Sequence, residues 1–297
     1  MTAKTAMIGM EHAPSSVPVR LLVAVFISGA AGLMYQLVWM RSFSLVIGSA
    51  HTAVAAVLAA YMGGLAIGGL LGARWASRLA SPLRAFAGLE GAVALFALVF
   101  PFALQAAAGI VSTWLGSGVE LATDAGWLQA TVYGASSALA IAAPTICMGA
   151  TLPVLVQGSL GRVGSPPTWL AQLYGVNTLG AAVGAGVGGF LLLPNLGLSA
   201  STWSAALLNL MAAALVLVGP SRKPVQPESL PAKRHPAKGD SDVSPSDRNA
   251  WPFVLAAFLI SAASFSLEVF WARLLSHLLG GTMQGFASML CVTLLGI

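Results

Sequence analysis

An all-α polytopic membrane protein is the fold class this sequence predicts, and three observations predict it. Hydrophobic residues fill 57% of the 297 positions and charged residues only 8%, whereas a soluble domain carries about 25% charged residues. Apolar runs long enough for a helix to cross a bilayer core, about 20 residues, recur along the chain. The cations gather in alternate connections between those runs, as topology signals do. A mean hydropathy of +0.85 agrees with lipid as the main solvent. The net charge of +5 does not make a nucleic-acid binder, because no basic face interleaved with aromatic residues accompanies it.

Residues 1–20 read as a polar cytoplasmic tail carrying Lys4, Glu11, His12 and Arg20. A signal peptide would begin its apolar core sooner and end at a small-residue cleavage site. Spans follow at Leu21–Met40, His51–Ala73, Leu83–Val111, Trp127–Leu155, Leu170–Leu193 and Ser199–Val218, making a six-span bundle over 21–218. Residues 219–250, rich in Pro, Ser, Lys and Asp, have too few large apolar side chains to fold alone and read as a disordered cytoplasmic linker. A second bundle starts over 251–297, with a span at Pro252–Leu275 and another from Met283 that is still apolar at Ile297. The natural chain is expected to continue through it.

Lys4 and Arg20 precede span one; Arg74, Arg78 and Arg84 join spans two and three; Arg162 follows span four; and the linker carries six more Lys or Arg. The opposite connections, near Ala50, Ser112–Gly126 and Pro194–Leu198, hold none. The positive-inside rule therefore places the N-terminus and the linker in the cytoplasm, with the lipid bilayer as main partner.

Sliding Phe26 onto Phe258 without gaps aligns Trp39 with Trp271, Arg41 with Arg273, Gly48 with Gly280, and Gln36 with Glu268. Trp-x-Arg followed seven residues later by Gly, at one depth in two spans of shared orientation, implies a parallel repeat of two six-helix halves. That is the arrangement of the major facilitator fold. Gly68-Gly69-Leu70-Leu71-Gly72-Ala73-Arg74-Trp75-Ala76-Ser77-Arg78 resembles that superfamily's loop between spans two and three, without its usual acidic residue.

Longer phrases carry a narrower likeness. The segment from Gly29 through Tyr35 and Trp39 to Arg41, with Pro144–Pro153 and Leu173–Gly184, resembles bacterial proteins described as fused major facilitator/spermidine synthase. The resemblance runs from about Leu21 through most of the chain. It implies a transporter-like membrane domain handling a small polar or amine solute. Its alternative is a non-transporting anchor for a polyamine aminopropyltransferase (spermidine synthase-like) domain lying outside this chain. No strand leads into a Gly-Gly-Gly-Asp-Gly-like nucleotide loop and no acidic catalytic pair is present, so no catalytic role carries over to a residue here.

Six residues are candidate substrate contacts: Arg41, Gln36, Glu268, Arg273, Tyr174 and Asn177. Arg41 and Arg273 each lie about 20 residues into a span, a rise of ~30 Å. Snorkelling to the headgroups beside Trp39 or Trp271, and facing a central cavity as anion ligands, are both open. Glu268, a carboxylate in a span, would take a proton, attract an amine, or hold a fixed ion pair with an arginine. Glu90 is expected to pair with Arg84 or Arg78 at the cytoplasmic rim. Pro144, Gly149 and Pro153 predict a kink in span four.

Tyr174 and Asn177 are polar cavity candidates. Gly180, Gly184 and Gly188 after them form a strip for close helix packing rather than a phosphate loop. No cofactor or metal is expected. Cys147 and Cys291 read as small buried hydrophobes, and neither His51 nor His277 has a second ligand one turn away.

Overall fold

A computed structural model describes residues 17–47, 50–115, 126–159, 166–218, 251–278 and 283–296. The expectations for the tail before residue 17 and for the 219–250 linker lie outside these residues, as do those for the side chains of His51 and His277.

Every apolar run becomes a helix, because lipid leaves no other way to satisfy each backbone N–H and C=O within a single segment. The elements are α1 (Val19–Ile47), α2 (Ala50–Trp75) with a 3-10 turn at Ala76–Arg78, α3 (Pro82–Leu115), α4 (Gly126–Ser159), α5 (Pro166–Gly186), a π-helical stretch (Val187–Leu192), α6 (Leu193–Leu217), α7 (Trp251–Leu278) and α8 (Met283–Leu295). Six helical stretches among the described residues are long and apolar enough to cross a membrane.

Two of these elements refine the sequence reading. Span four runs as one helix with Pro144 and Pro153 inside it. Beside Pro144, Thr145 Oγ1 donates to the Ile141 oxygen at 2.7 Å and lies 3.1 Å from that of Ala142, the back-bonding usual for threonine within a helix. The expected connection at Pro194–Leu198 is helical except at one residue. Residues Trp169–Leu217 form a continuous apolar stretch of 49 residues, which as a straight helix would be ~73 Å long, more than twice a bilayer core. Gly197, at φ 75° and ψ −175°, breaks it. After that break α6 runs back along α1 and α3.

Small residues set the helix pairs, and they do so twice. A Cβ on Gly180 of α5 would fall on the Phe26 carbonyl of α1; one on Gly184 would strike Ala30; and one on Gly29 would strike the Asn177 carbonyl. Between α2 and α4, Gly68 meets the Ile146 carbonyl, Gly72 meets Ala150, and Gly149 meets the Leu65 carbonyl.

These two sets superimpose position for position. Phe26, Gly29 and Ala30 of α1 correspond to Ile146, Gly149 and Ala150 of α4, a constant shift of 120 positions in the chain. Leu65, Gly68 and Gly72 of α2 correspond to Asn177, Gly180 and Gly184 of α5, a constant shift of 112. Gly63 and Gly175, which also correspond, both face open space.

In each pair the contacts advance together along both helices, so α1 runs parallel to α5 and α2 parallel to α4. The short α1–α2 connection, with Trp39 against Tyr61, makes those two antiparallel. Helices α1 to α3 and α4 to α6 are thus two three-helix units of opposite direction. They are joined at α1–α5 and α2–α4 through equivalent carbonyls.

The buried core has two levels. One gathers Val17 and Leu21 with Ala76, Phe86, Leu155, Trp169, Leu173 and Val216. That level is the end of the bundle at which Arg20, Arg74, Arg78 and Arg84 sit. The other level is built around Trp39, Tyr35, Tyr61, Phe100 and Ile141, and it reaches Phe286, Ala287 and Leu290 of α8. Helix α8 docks on α5 and the π-helical stretch, with Ala287 against Gly189 and Cys291 Sγ 3.3 Å from the Ala182 carbonyl. Helix α7 touches α8 and a little of α2, and its stretch Phe258–Leu275 is mostly exposed, with Ala272 buried and Phe265, Val269 and Leu275 partly buried against the core.

Candidate functional site

One group of polar side chains inside the bundle lies along one face of α1. Ser28 and Tyr35 are seven residues apart and Trp39 four further on, spacings that share one side of a helix. Opposite Ser28 stands Glu90 of α3, only 1% exposed. Ser28 Oγ donates to Glu90 Oε1 at 2.6 Å, while Glu90 Oε2 has no hydrogen-bond partner. The expected ion pair with Arg84 or Arg78 therefore gives way to a serine. Glu90 lies eight residues into α3, ~12 Å along its axis, and points inward to α1 rather than along its own helix to the rim.

Above this pair, Tyr35 and Trp39 stack with ring centres 5.5 Å apart and planes at 15°. Trp39 also packs on Tyr61 of α2 at 6.3 Å and on Phe100 of α3 at 5.8 Å, both tilted. Trp39 is therefore no interfacial belt residue; it is fully buried, and its Nε1 has no acceptor. Tyr35 Oη is buried without a partner, and so are both amide atoms of Gln36. Helix interiors rarely leave so many polar atoms unpaired within two turns. Nothing in composition pointed to Ser28 or to the depth of Glu90; only the α1–α3 contact brings them together.

The six candidate contacts do not converge on one point. Gln36 is fully buried in the bundle, whereas Arg41, five residues on, is exposed. Asn177 is half-buried with its carbonyl and side-chain oxygen against Gly29, seven residues and so ~10 Å along α1 from Gln36. Tyr174 is 53% exposed, and its carbonyl accepts from Thr178 Oγ1 at 3.0 Å. Glu268 is half-buried and Arg273 exposed on α7, whose neighbours are α8 and α2 rather than α1. The aligned Trp39 and Trp271 accordingly sit in different surroundings, since Trp271 is 49% exposed and packs edge-on against Phe270. Cys147 and Cys291 are free thiols, each half-buried.

With this geometry in place, the comparisons give the chain its setting. Two curated polyamine aminopropyltransferases are similar to it. One, from Corynebacterium efficiens, is 28% identical over 203 residues, covering 66% of this chain and 34% of the relative. The other, polyamine aminopropyltransferase 2 of Streptomyces coelicolor, is 28% identical over 221 residues, 71% of this chain and 37% of the relative. The chain spans about a third of the length of these curated relatives. No protein-family model matches it, and no solved structure does.

Proposed function

We propose that this chain is the membrane-embedded portion of a polyamine aminopropyltransferase-like protein, holding that activity at a bacterial inner membrane. The observation that carries the reading is the likeness to two polyamine aminopropyltransferases over about two thirds of a chain whose helices are long and apolar enough to cross a bilayer. The chain's part is to insert, with its N-terminus and 219–250 linker on the cytoplasmic side, and to present an aminopropyltransferase domain there. Affinity purification of the tagged natural product from solubilised membranes tests this, with formation of a longer polyamine from a diamine acceptor as the assay. Activity enriched with the tag supports the reading. A membrane-bound product that carries no such activity overturns it.

A second reading is favoured by the inverted three-helix repeat. Secondary transporters of the major facilitator type are built from such units, with a substrate site where the repeats meet. Under this reading the domain moves a small polar or amine solute, and Arg41, Gln36, Glu268, Arg273, Tyr174 and Asn177 are the candidate contacts. Proteoliposomes loaded with labelled polyamine separate the two readings. Flux that falls in Glu268→Gln and Arg41→Ala supports transport, and no flux from well-folded protein leaves the anchor alone.

A further inference from the structure

Only two acidic residues occur among the described positions, Glu90 and Glu268, and Glu90 is the one sealed inside the six-helix bundle. Its sole hydrogen bond comes from a neutral hydroxyl, and its second oxygen has no partner. A carboxyl group within a membrane span is costly to keep and usually functional. If Glu90 only tied α3 to α1, a serine–glutamine or purely apolar contact would do so without an orphaned oxygen. Three atoms of this interior can accept, although the orphaned Nε1 of Trp39 further along α1 can only donate. Glu90 Oε2 and Tyr35 Oη are free, and the Ser28 hydroxyl that donates to Glu90 keeps lone pairs of its own. Tyr35 shares with Ser28 the face of α1 that meets Glu90. A primary ammonium group brings three N–H donors and one positive charge, which matches that set in number and sign.

We propose that the interior between α1 and α3 is a binding site for the ammonium end of an amine, with Glu90 as its counter-charge and Ser28 and Tyr35 as hydrogen-bond acceptors. The site is distinct from the α7 residues Glu268 and Arg273. It rests on the polyamine reading above only for the choice of probe.

The test is equilibrium binding of labelled spermidine to the purified full chain in lipid nanodiscs, with thermal unfolding followed in parallel. Saturable binding and a rise in unfolding temperature are expected for the wild type and for Arg84→Ala, a rim cation outside the site. Glu90→Gln keeps the shape and removes the charge, and weakens binding by about tenfold or more, as loss of a charge-assisted hydrogen bond does. Tyr35→Phe, which spares the ring, weakens it by about threefold to tenfold. Should Glu90→Gln not fold, Ser28→Ala and Tyr35→Phe carry the same comparison. Sodium chloride at matched ionic strength reproducing the thermal shift overturns the proposal, as does spermidine binding equally well to the wild type and every site variant. Because no aminopropyl transfer is measured, the outcome is independent of whether the anchor reading stands.

Discussion

Glu90 and Trp39 are ordinary residues by type, and their environments give them meaning. Burying a carboxylate beside a single serine is unfavourable unless something else compensates its charge, and among the described residues Arg20, Arg74, Arg78 and Arg84 sit at the bundle's end. Trp39 shows the same dependence. It aligns with Trp271 in sequence, yet three aromatic rings enclose it while Trp271 stays half-exposed. Trp39→Ala is expected to lower stability by about 3–5 kcal/mol, as emptying a large aromatic site does. Trp271→Ala should change it by under about 1 kcal/mol. Thermal unfolding of both variants in one detergent checks the contrast, and equal losses would show that Trp271 is enclosed like Trp39.

Helix packing in this molecule is a matter of backbone approach. Lipid tails are as apolar as leucine, so helices associate through van der Waals contact and small residues rather than by leaving water. Gly180 and Gly68 occupy equivalent places, each against a carbonyl of the partner helix. Gly180→Leu and Gly68→Leu should therefore be equally disruptive, each costing about 1–3 kcal/mol or more through overpacking, read as lost monodispersity on size exclusion. Gly175→Ala and Gly63→Ala, whose added methyl groups meet nothing, should behave like the wild type.

Gly197 is a different kind of glycine. Its φ of 75° with ψ of −175° is a conformation essentially confined to glycine, so Gly197→Ala is expected to cost about 1–3 kcal/mol. The loss should appear as a lowered midpoint in thermal unfolding, with the α1–α5 contact still crosslinkable.

At the scale of the whole molecule, the arrangement of charge predicts orientation. The ends of α2 and α3 that carry Arg74, Arg78 and Arg84 share one level with the start of α1, while the Gly197 break lies at the opposite level. With Cys147 and Cys291 replaced by alanine, a cysteine at Ser77 should react with a membrane-impermeant thiol reagent only in inside-out vesicles. One at Leu196, which is 56% exposed, should react in intact cells. The reverse pattern would invert the topology.

Much of this was legible in the amino-acid order. Span positions and the grouping of cations follow from composition within short windows, because a bilayer imposes one length and one backbone solution. The helices therefore begin and end close to where the apolar runs do, α3 at Pro82–Leu115 being a few residues longer than its run. Reading residue by residue failed where meaning depends on a distant partner. Sequence alone pairs Glu90 with Arg84 or Arg78, close by in the chain, although its donor is 62 positions distant. Pro194–Leu198 reads as the connection between two spans, and the break between two helices falls there, at Gly197 alone. The glycines of α5 were readable as a packing strip, but their equivalence to those of α2 was not, since the shared feature is which carbonyl each one meets.

The sequence by itself determined that this is a membrane-embedded helical chain with its cations in alternate connections, because hydropathy and charge are local properties that lipid reads directly. Only the tertiary structure decided that two inverted three-helix units interlock, and that Ser28, Tyr35, Trp39 and Glu90 meet in one interior. The physical reason is that helices buried in a bundle are apolar on nearly every side. Their sequence therefore carries little information about which face meets which neighbour, and close packing settles the choice.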